Sequence, residues 1–168
     1  MKKGAKVFLW AVFCLGITLG IAQAADKFAS VDIMRIASEY NKAKDYNKSI
    51  ETKATAVDSE IEKKVKDIKQ LQDKISLLSD KEKEAKRSEF EGKVKDLQEF
   101  RRQKEMDLRK LDLDNSKILA DDIRGAITQY ATKDGITVVL DDRSMIYQGK
   151  GYDITDKIID ILNKGYKK

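Results

Sequence analysis

The chain has 168 residues, with 34 basic and 29 acidic side chains, no histidine, no proline and one cysteine. Without histidine there is no Ser-His-Asp or Cys-His chemistry and no His-based zinc site, and no G-x-x-x-x-G-K-[ST] loop offers a nucleotide engine, so an enzyme is the least favoured class and no cofactor is expected. A charged fraction of 38% with 7% aromatics suits either disorder or long helices, and periodicity has to decide between them.

The chain opens on Lys2, Lys3 and Lys6, followed by an apolar run from Val7 to Ile21 and by Ala22-Gln23-Ala24. That is the pattern of a cleaved signal peptide over residues 1–24, with the cut between Ala24 and Ala25. The run has 15 residues, short of the roughly 20 that span a bilayer. Cys14 follows Val12 and Phe13 rather than small residues, which argues against lipoprotein processing, and it leaves with the signal. The chain is therefore expected to be exported. Removing the three lysines shrinks the formal charge of +5 to 31 bases against 29 acids, which gives no ground for specific nucleic-acid binding.

After the signal, Lys27–Ile33 alternates, with Ala29, Val31 and Ile33 on one face of an expected first strand. From Tyr40 a seven-residue repeat begins. One seam position carries Tyr40, Asn47, Ala54, Ile61, Ile68 and Ile75; its partner carries Ala43, Ile50, Val57, Lys64, Leu71 and Leu78. Asn47 and Lys64 are the breaks. A repeat sustained over five heptads predicts a coiled-coil helix rather than disorder. Near Ser79 it stops, and Ser79 with Glu82 has capping-box spacing, which predicts a reversal at 78–82. A second helix is expected from Asp80 to Thr132, with Phe90, Val94, Leu97, Leu108, Leu111 and Ile118 as its seam. Arg101 and Lys104 fall between them, and Leu119, Ile123, Ile127 and Tyr130 follow on a shifted face.

Gly135 can end that helix, and Ile136–Leu140 is a β-branched run that predicts a second strand carrying Ile136, Val138 and Leu140. Asp141-Asp142-Arg143 reads as a turn, with a cation or acid/base site the lesser reading of the two carboxylates. Met145-Ile146-Tyr147 would make a third strand. Gly149-Lys150-Gly151 lacks the third glycine of a dinucleotide fingerprint and reads as a loop. Asp153 then precedes a last helix with Ile154, Ile158, Ile161 and Leu162 on one face.

The expected fold is α+β: a small β-rich body from residues 25–34 and 134–168, into which a helical hairpin of residues 35–133 is inserted as an arm. A body of about 45 residues is near the limit of independent folding, so self-association through sheet edges is expected, with Ala29, Val31, Ile33, Ile136, Val138, Leu140, Ile146, Ile158 and Leu162 forming it. Arg101, Arg102, Lys104, Arg109 and Lys110 stand against Glu105 and Asp107 in ten residues. Such a stretch can attract acidic polypeptide or anionic lipid, including lipopolysaccharide, or it can be a solvated face held by i,i+4 pairs such as Glu105–Arg109.

This order of elements resembles the Skp/OmpH family of periplasmic chaperones. Lys27–Asp32 resembles the family's first strand. Tyr130-Ala131 with Gly135–Asp141 is similar to its helix exit and second strand, and Tyr147, Asp153-Ile154-Thr155 and Leu162-Asn163 look like its final strand and helix. The resemblance implies a homotrimer whose three arms enclose a cavity holding unfolded outer-membrane proteins without ATP. The other readings are an envelope adaptor docking one folded partner and a polyanion binder.

Overall fold

The computed structural model describes residues 26–167; the signal and its cleavage at Ala24 and Ala25 lie outside them. The chain runs β1 (Phe28–Val31), α1 (Ile33–Glu39), α2 (Asn41–Ser76), α3 (Asp80–Asp134), β2 (Val138–Asp141), a 3₁₀ turn (Asp142–Ser144) and α4 (Thr155–Gly165). Most of it is helix, and the two long helices form a hairpin.

Local chemistry sets the breaks between elements. The Asp32 carboxylate accepts a 2.8 Å hydrogen bond from the Arg35 amide and starts α1. Tyr40 is extended (φ −68°, ψ 121°), and this single residue separates α1 from α2. At the tip, the Glu82 carboxylate accepts from the Ser79 amide (3.1 Å) and the Ser79 hydroxyl (2.5 Å), fixing the start of α3 after the turn at Leu77 and Leu78. Both bonds hold the Glu82 carboxyl below its ordinary range. Gly135 (φ 66°) closes α3: its amide reaches the Thr132 carbonyl at 3.4 Å, and the Ile136 amide reaches Ala131 at 2.8 Å. A left-handed residue is required there, and glycine adopts it without a Cβ clash.

α2 has 36 residues and α3 has 55, about 54 Å and 82 Å of helix at 1.5 Å per residue. The seam follows the heptads in α2. Ile50, Ala54, Val57, Ile61, Ile68, Leu71 and Ile75 are half-buried, while Asn47 and Lys64 are exposed, as their polarity demands. In α3 the seam differs from the sequence expectation at two places. Phe100, not Arg101, takes the inward position, and Asn115 does so in place of the expected Ile118, which is exposed; Leu119, Ile123, Ile127 and Tyr130 then follow on the expected shifted face. A straight helix drifts by about 20° per heptad against a strict seven-residue repeat, so by Ile118, four heptads after Phe90, the row has turned away and Leu119 faces α2 instead. At Phe100 the apolar ring takes the seam while the Arg101 side chain stays in solvent.

The body centres on β1. β1 pairs in parallel with β2, with Phe28 opposite Val138 and Val31 opposite Asp141. On its other side the Ser30 amide donates to the Tyr152 carbonyl (2.8 Å) and the Ile154 amide donates to the Ser30 carbonyl (3.0 Å), forming a parallel bridge to Asp153. The Ser30 hydroxyl donates to the Gln148 side-chain oxygen. Occupied on both edges, β1 buries Ala29, Ser30 and Val31 in succession rather than alternately. Ile33 does not continue the strand but opens α1, because the Asp32 cap turns the chain first. Ile136 is half-buried ahead of β2 rather than within it. The expected third strand is absent among the described residues: Met145–Tyr147 follows the 3₁₀ turn without pairing, and Ile146 and Tyr147 are fully or largely exposed. The edge it would have taken is filled by Tyr152–Ile154.

The buried core lies in the body and at the root of the arm. It comprises Ala29, Val31, Ile36, Tyr40, Ala43, Ile123, Ala126, Ile154, Ile158, Ile159 and Leu162. Asp153 supports the last helix by accepting from the Thr155 amide (2.8 Å) and hydroxyl (2.5 Å), and Thr155 in turn accepts from the Asp32 amide (2.9 Å). Between residues 44 and 122 no described residue is fully buried.

Candidate functional site

The root of the arm is where charge and packing meet. Tyr40, at the head of α2, donates a 3.1 Å hydrogen bond to the Asp122 carboxylate of α3, and Lys42 donates to the same oxygen at 2.7 Å. Tyr166, just past the end of α4, packs edge-on to the Tyr40 ring at 6.1 Å and donates to Asp45 at 3.1 Å. Burial first, and then the adjacent Asp122 carboxylate, pushes the Tyr40 phenol up to about 12. The bond to Asp122 raises the Lys42 ammonium from its ordinary value. This cluster ties both arm helices to the last residues of the body.

Beside the root, α1 and α3 leave an apolar groove of about 510 Å³, lined by Ile33, Ala37, Leu119, Ile123 and Ile127, with Arg124 at its rim. Higher on the arm, a second groove of about 400 Å³ lies between Val57 and Ala56 of α2 and Leu108 and Leu111 of α3, with Lys53, Lys104 and Asp107 around it. Between these grooves and the tip, Phe100 is flanked by two ammonium groups. Lys64 Nζ lies 5.0 Å and Lys104 Nζ 5.5 Å from the ring centroid, so the seam's charged breaks are accommodated on an aromatic face. An arm built this way offers shallow apolar strips bordered by mixed charge rather than one deep pocket.

The basic stretch does not form a single patch. Lys104 is half-buried at the seam, whereas Arg101, Arg102, Arg109 and Lys110 are exposed at different angles around α3. The expected Glu105–Arg109 pair does not form. None of the five bases makes an ion pair among the described residues, although Gln103 bonds Asp107 at 2.9 Å. Short-range pairing therefore does not neutralise these cations.

On the body, Phe28, Val138 and Leu140 share the outer face of the sheet, paired as Phe28 with Val138 and Leu140 with Ser30. All three are exposed, Phe28 by half its surface, and Ile146, Tyr147 and Tyr152 are exposed nearby in sequence. By contrast Ala29, Val31, Ile158 and Leu162 are buried within the chain itself, and so hold the body together from inside rather than at a surface.

The Asp141-Asp142 pair is a turn. Arg143 donates to the Asp141 carboxylate from its amide (3.1 Å), Nε (3.1 Å) and Nη2 (2.7 Å), which holds that carboxyl down at about 2. Asp142 is raised by desolvation, and its Oδ1 is enclosed without a hydrogen-bond partner.

A family model described as "Outer membrane protein (OmpH-like)" matches residues 27–162. A curated relative, "Chaperone protein Skp" of Photorhabdus laumondii subsp. laumondii, is 28% identical over 92% of this chain and 96% of its own length. The crystal structure of an OmpH-like protein from Caulobacter crescentus CB15 superposes with a TM-score of 0.76. That match covers 86% of this chain and 88% of the other at 16% identity, a likeness of fold.

Proposed function

Because this chain belongs to the OmpH-like outer membrane protein family, we propose that it is an ATP-independent periplasmic holdase chaperone that keeps unfolded outer-membrane proteins from aggregating. The observation that carries the reading is the hairpin: two helices of 36 and 55 residues that leave the body with no fully buried residue beyond their root. Such an arm contributes little to its own domain's core. It presents long strips of half-buried aliphatic side chains edged by both signs of charge, a surface that suits many weak contacts with an unfolded chain and release without an energy source.

Self-association completes the reading. Phe28, Val138 and Leu140 share an exposed apolar sheet face, Ile146 and Tyr147 are exposed as well, and a second and third copy of the chain would cover them. A homotrimer with three arms around a common space is the assembly proposed. A contact of Arg101, Arg102, Lys104, Arg109 and Lys110 with acidic client segments, or with anionic lipid or lipopolysaccharide, is the accompanying proposal for the arm.

The test is light-scattering mass on a sizing column, using residues 25–168 alone and then with a urea-unfolded outer-membrane β-barrel diluted into them. The expected results are a trimer-sized peak and a soluble co-eluting complex. Trp10 is the only tryptophan of the chain and lies outside residues 25–168, so tryptophan absorbance in a shared peak reports the client. A stable oligomer that leaves the barrel to aggregate would overturn the chaperone reading in favour of an adaptor with one folded partner.

A further inference from the structure

Opposite its seam, α3 carries a row that the hairpin does not use. At about 100° per residue, Arg102, Met106, Arg109, Leu113 and Lys117 fall within a sector roughly 80° wide on the face turned away from α2. All five are exposed, Met106 by 51% and Leu113 by 64%. No acid falls within that sector between residues 102 and 117. Glu105 and Asp112 lie on one flank, and Asp107 and Asp114 on the other. None of the three cations has an ion-pair partner among the described residues.

The row alternates cation, apolar, cation, apolar, cation. Its steps of three or four helical residues rise about 4.5–6 Å each, about 22 Å in all. On an extended chain, every second side chain faces the same way at a spacing of about 6.6 Å. A polypeptide strand laid along the row can thus set acids against Arg102, Arg109 and Lys117 and apolar side chains against Met106 and Leu113 over about nine residues, about 26 Å of strand against about 22 Å of helix, a difference the long cationic side chains can span.

We infer that this outer row of α3 is a docking strip for an extended, acidic-and-apolar polypeptide segment; the inference rests on the chaperone reading and places one client contact. The charge distribution favours a peptide over a membrane. Over its whole length, residues 80–134, α3 holds fourteen bases and fourteen acids, so the helix is neutral. A bilayer surface is wider than the helix and senses charge over a Debye length of about 8 Å, so it would meet the flanking acids as well as the row. A single strand, about 5 Å wide, can seat its acids directly over the row's cations and leave the flanking acids at its edges.

The experiment uses the assembled mature chain and a labelled nine-residue peptide of pattern Glu-x-Leu-x-Glu-x-Leu-x-Glu with serine at x, followed by anisotropy. A peptide of the same composition with the three glutamates adjacent is the control. The strip predicts binding of the alternating peptide at least tenfold tighter than the control, weakened at least tenfold by R102E/R109E and severalfold by M106S/L113S. Circular dichroism melts of these exposed-site variants should stay at the wild-type value. Equal binding of the two peptides, or binding untouched by both double variants, would overturn it. Sedimentation with phosphatidylglycerol vesicles that is lost in R102E/R109E would assign the row to a membrane instead and equally overturn it. Suppression of β-barrel aggregation is read in parallel. If the wild type suppresses aggregation and the peptide result fails, the strip is wrong and the chaperone reading stands; if the wild type does not suppress it, the reading itself fails.

Discussion

The body and the arm are made from the same amino-acid types, yet they are stabilised in different ways. In the body, Ile36 and Ile158 are wholly enclosed, and β1 has both edges occupied, so each residue is held by several distant parts of the chain. In the arm, each side chain depends on one partner helix and remains half exposed. One end of the molecule is therefore a small cooperative core. The other is a long surface whose helices stay available for contact because little of them is consumed by folding.

Core substitutions should widen that contrast most. Ile158→Ala removes a fully buried side chain and should cost about 2–5 kcal/mol, whereas Ile61→Ala at a half-buried seam position should cost about 1 kcal/mol. Thermal unfolding of the two variants at equal protein concentration measures the difference, and equal losses would mean that arm and body share one core.

The next effect lies at the joint between them. Asp122→Ala leaves the Tyr40 hydroxyl and the Lys42 ammonium without their shared acceptor and should cost about 1–3 kcal/mol. The same joint should respond to alkali. The folded-state value of Tyr40 lies above its unfolded value, so its contribution is intact below about pH 10 and is lost as pH rises toward about 12. Lys42, also raised, acts in the same direction. Melting temperatures from pH 9 to 11.5 should fall more steeply in the wild type than in Tyr40→Phe, which cannot ionise there. Parallel curves would remove Tyr40 from the account.

The smallest effect is expected at the tip. Ser79→Ala removes one donor to Glu82 and should cost about 1 kcal/mol at most. It should appear as faster amide exchange in the first turn of α3, with exchange in α4 unchanged. Loss of protection in both places would show that the tip is coupled to the body.

These contrasts also separate what could be read along the chain from what could not. Periodicity alone located α2 and its seam, down to the exposed breaks at Asn47 and Lys64, because a helical seam depends on residues three and four apart. The reversal at Ser79 and the end of α3 at Gly135 were legible for the same reason, since caps are made by neighbours. Most of the inward row of α3 was legible too, from Phe90 to Leu111 and again from Leu119 on its shifted face; only the places of Phe100 rather than Arg101 and of Asn115 rather than Ile118 are selected by where α2 lies against it. The outer row from Arg102 to Lys117 had a visible signal in the seven-residue spacing of Met106 and Leu113, but its exposure is known only once the seam is placed.

By itself, the sequence determined that this protein is a helical hairpin set into a small mixed body, because capping, turn chemistry and heptad spacing act over a few residues. Only the tertiary structure decided the body's pairing. Met145–Tyr147 has the composition of a strand, but the free edge of β1 is taken by Tyr152–Ile154, whose amide and carbonyl groups Ser30 meets from more than 120 residues away. A backbone edge has one set of hydrogen bonds to share, and which segment receives them is settled by the whole chain at once.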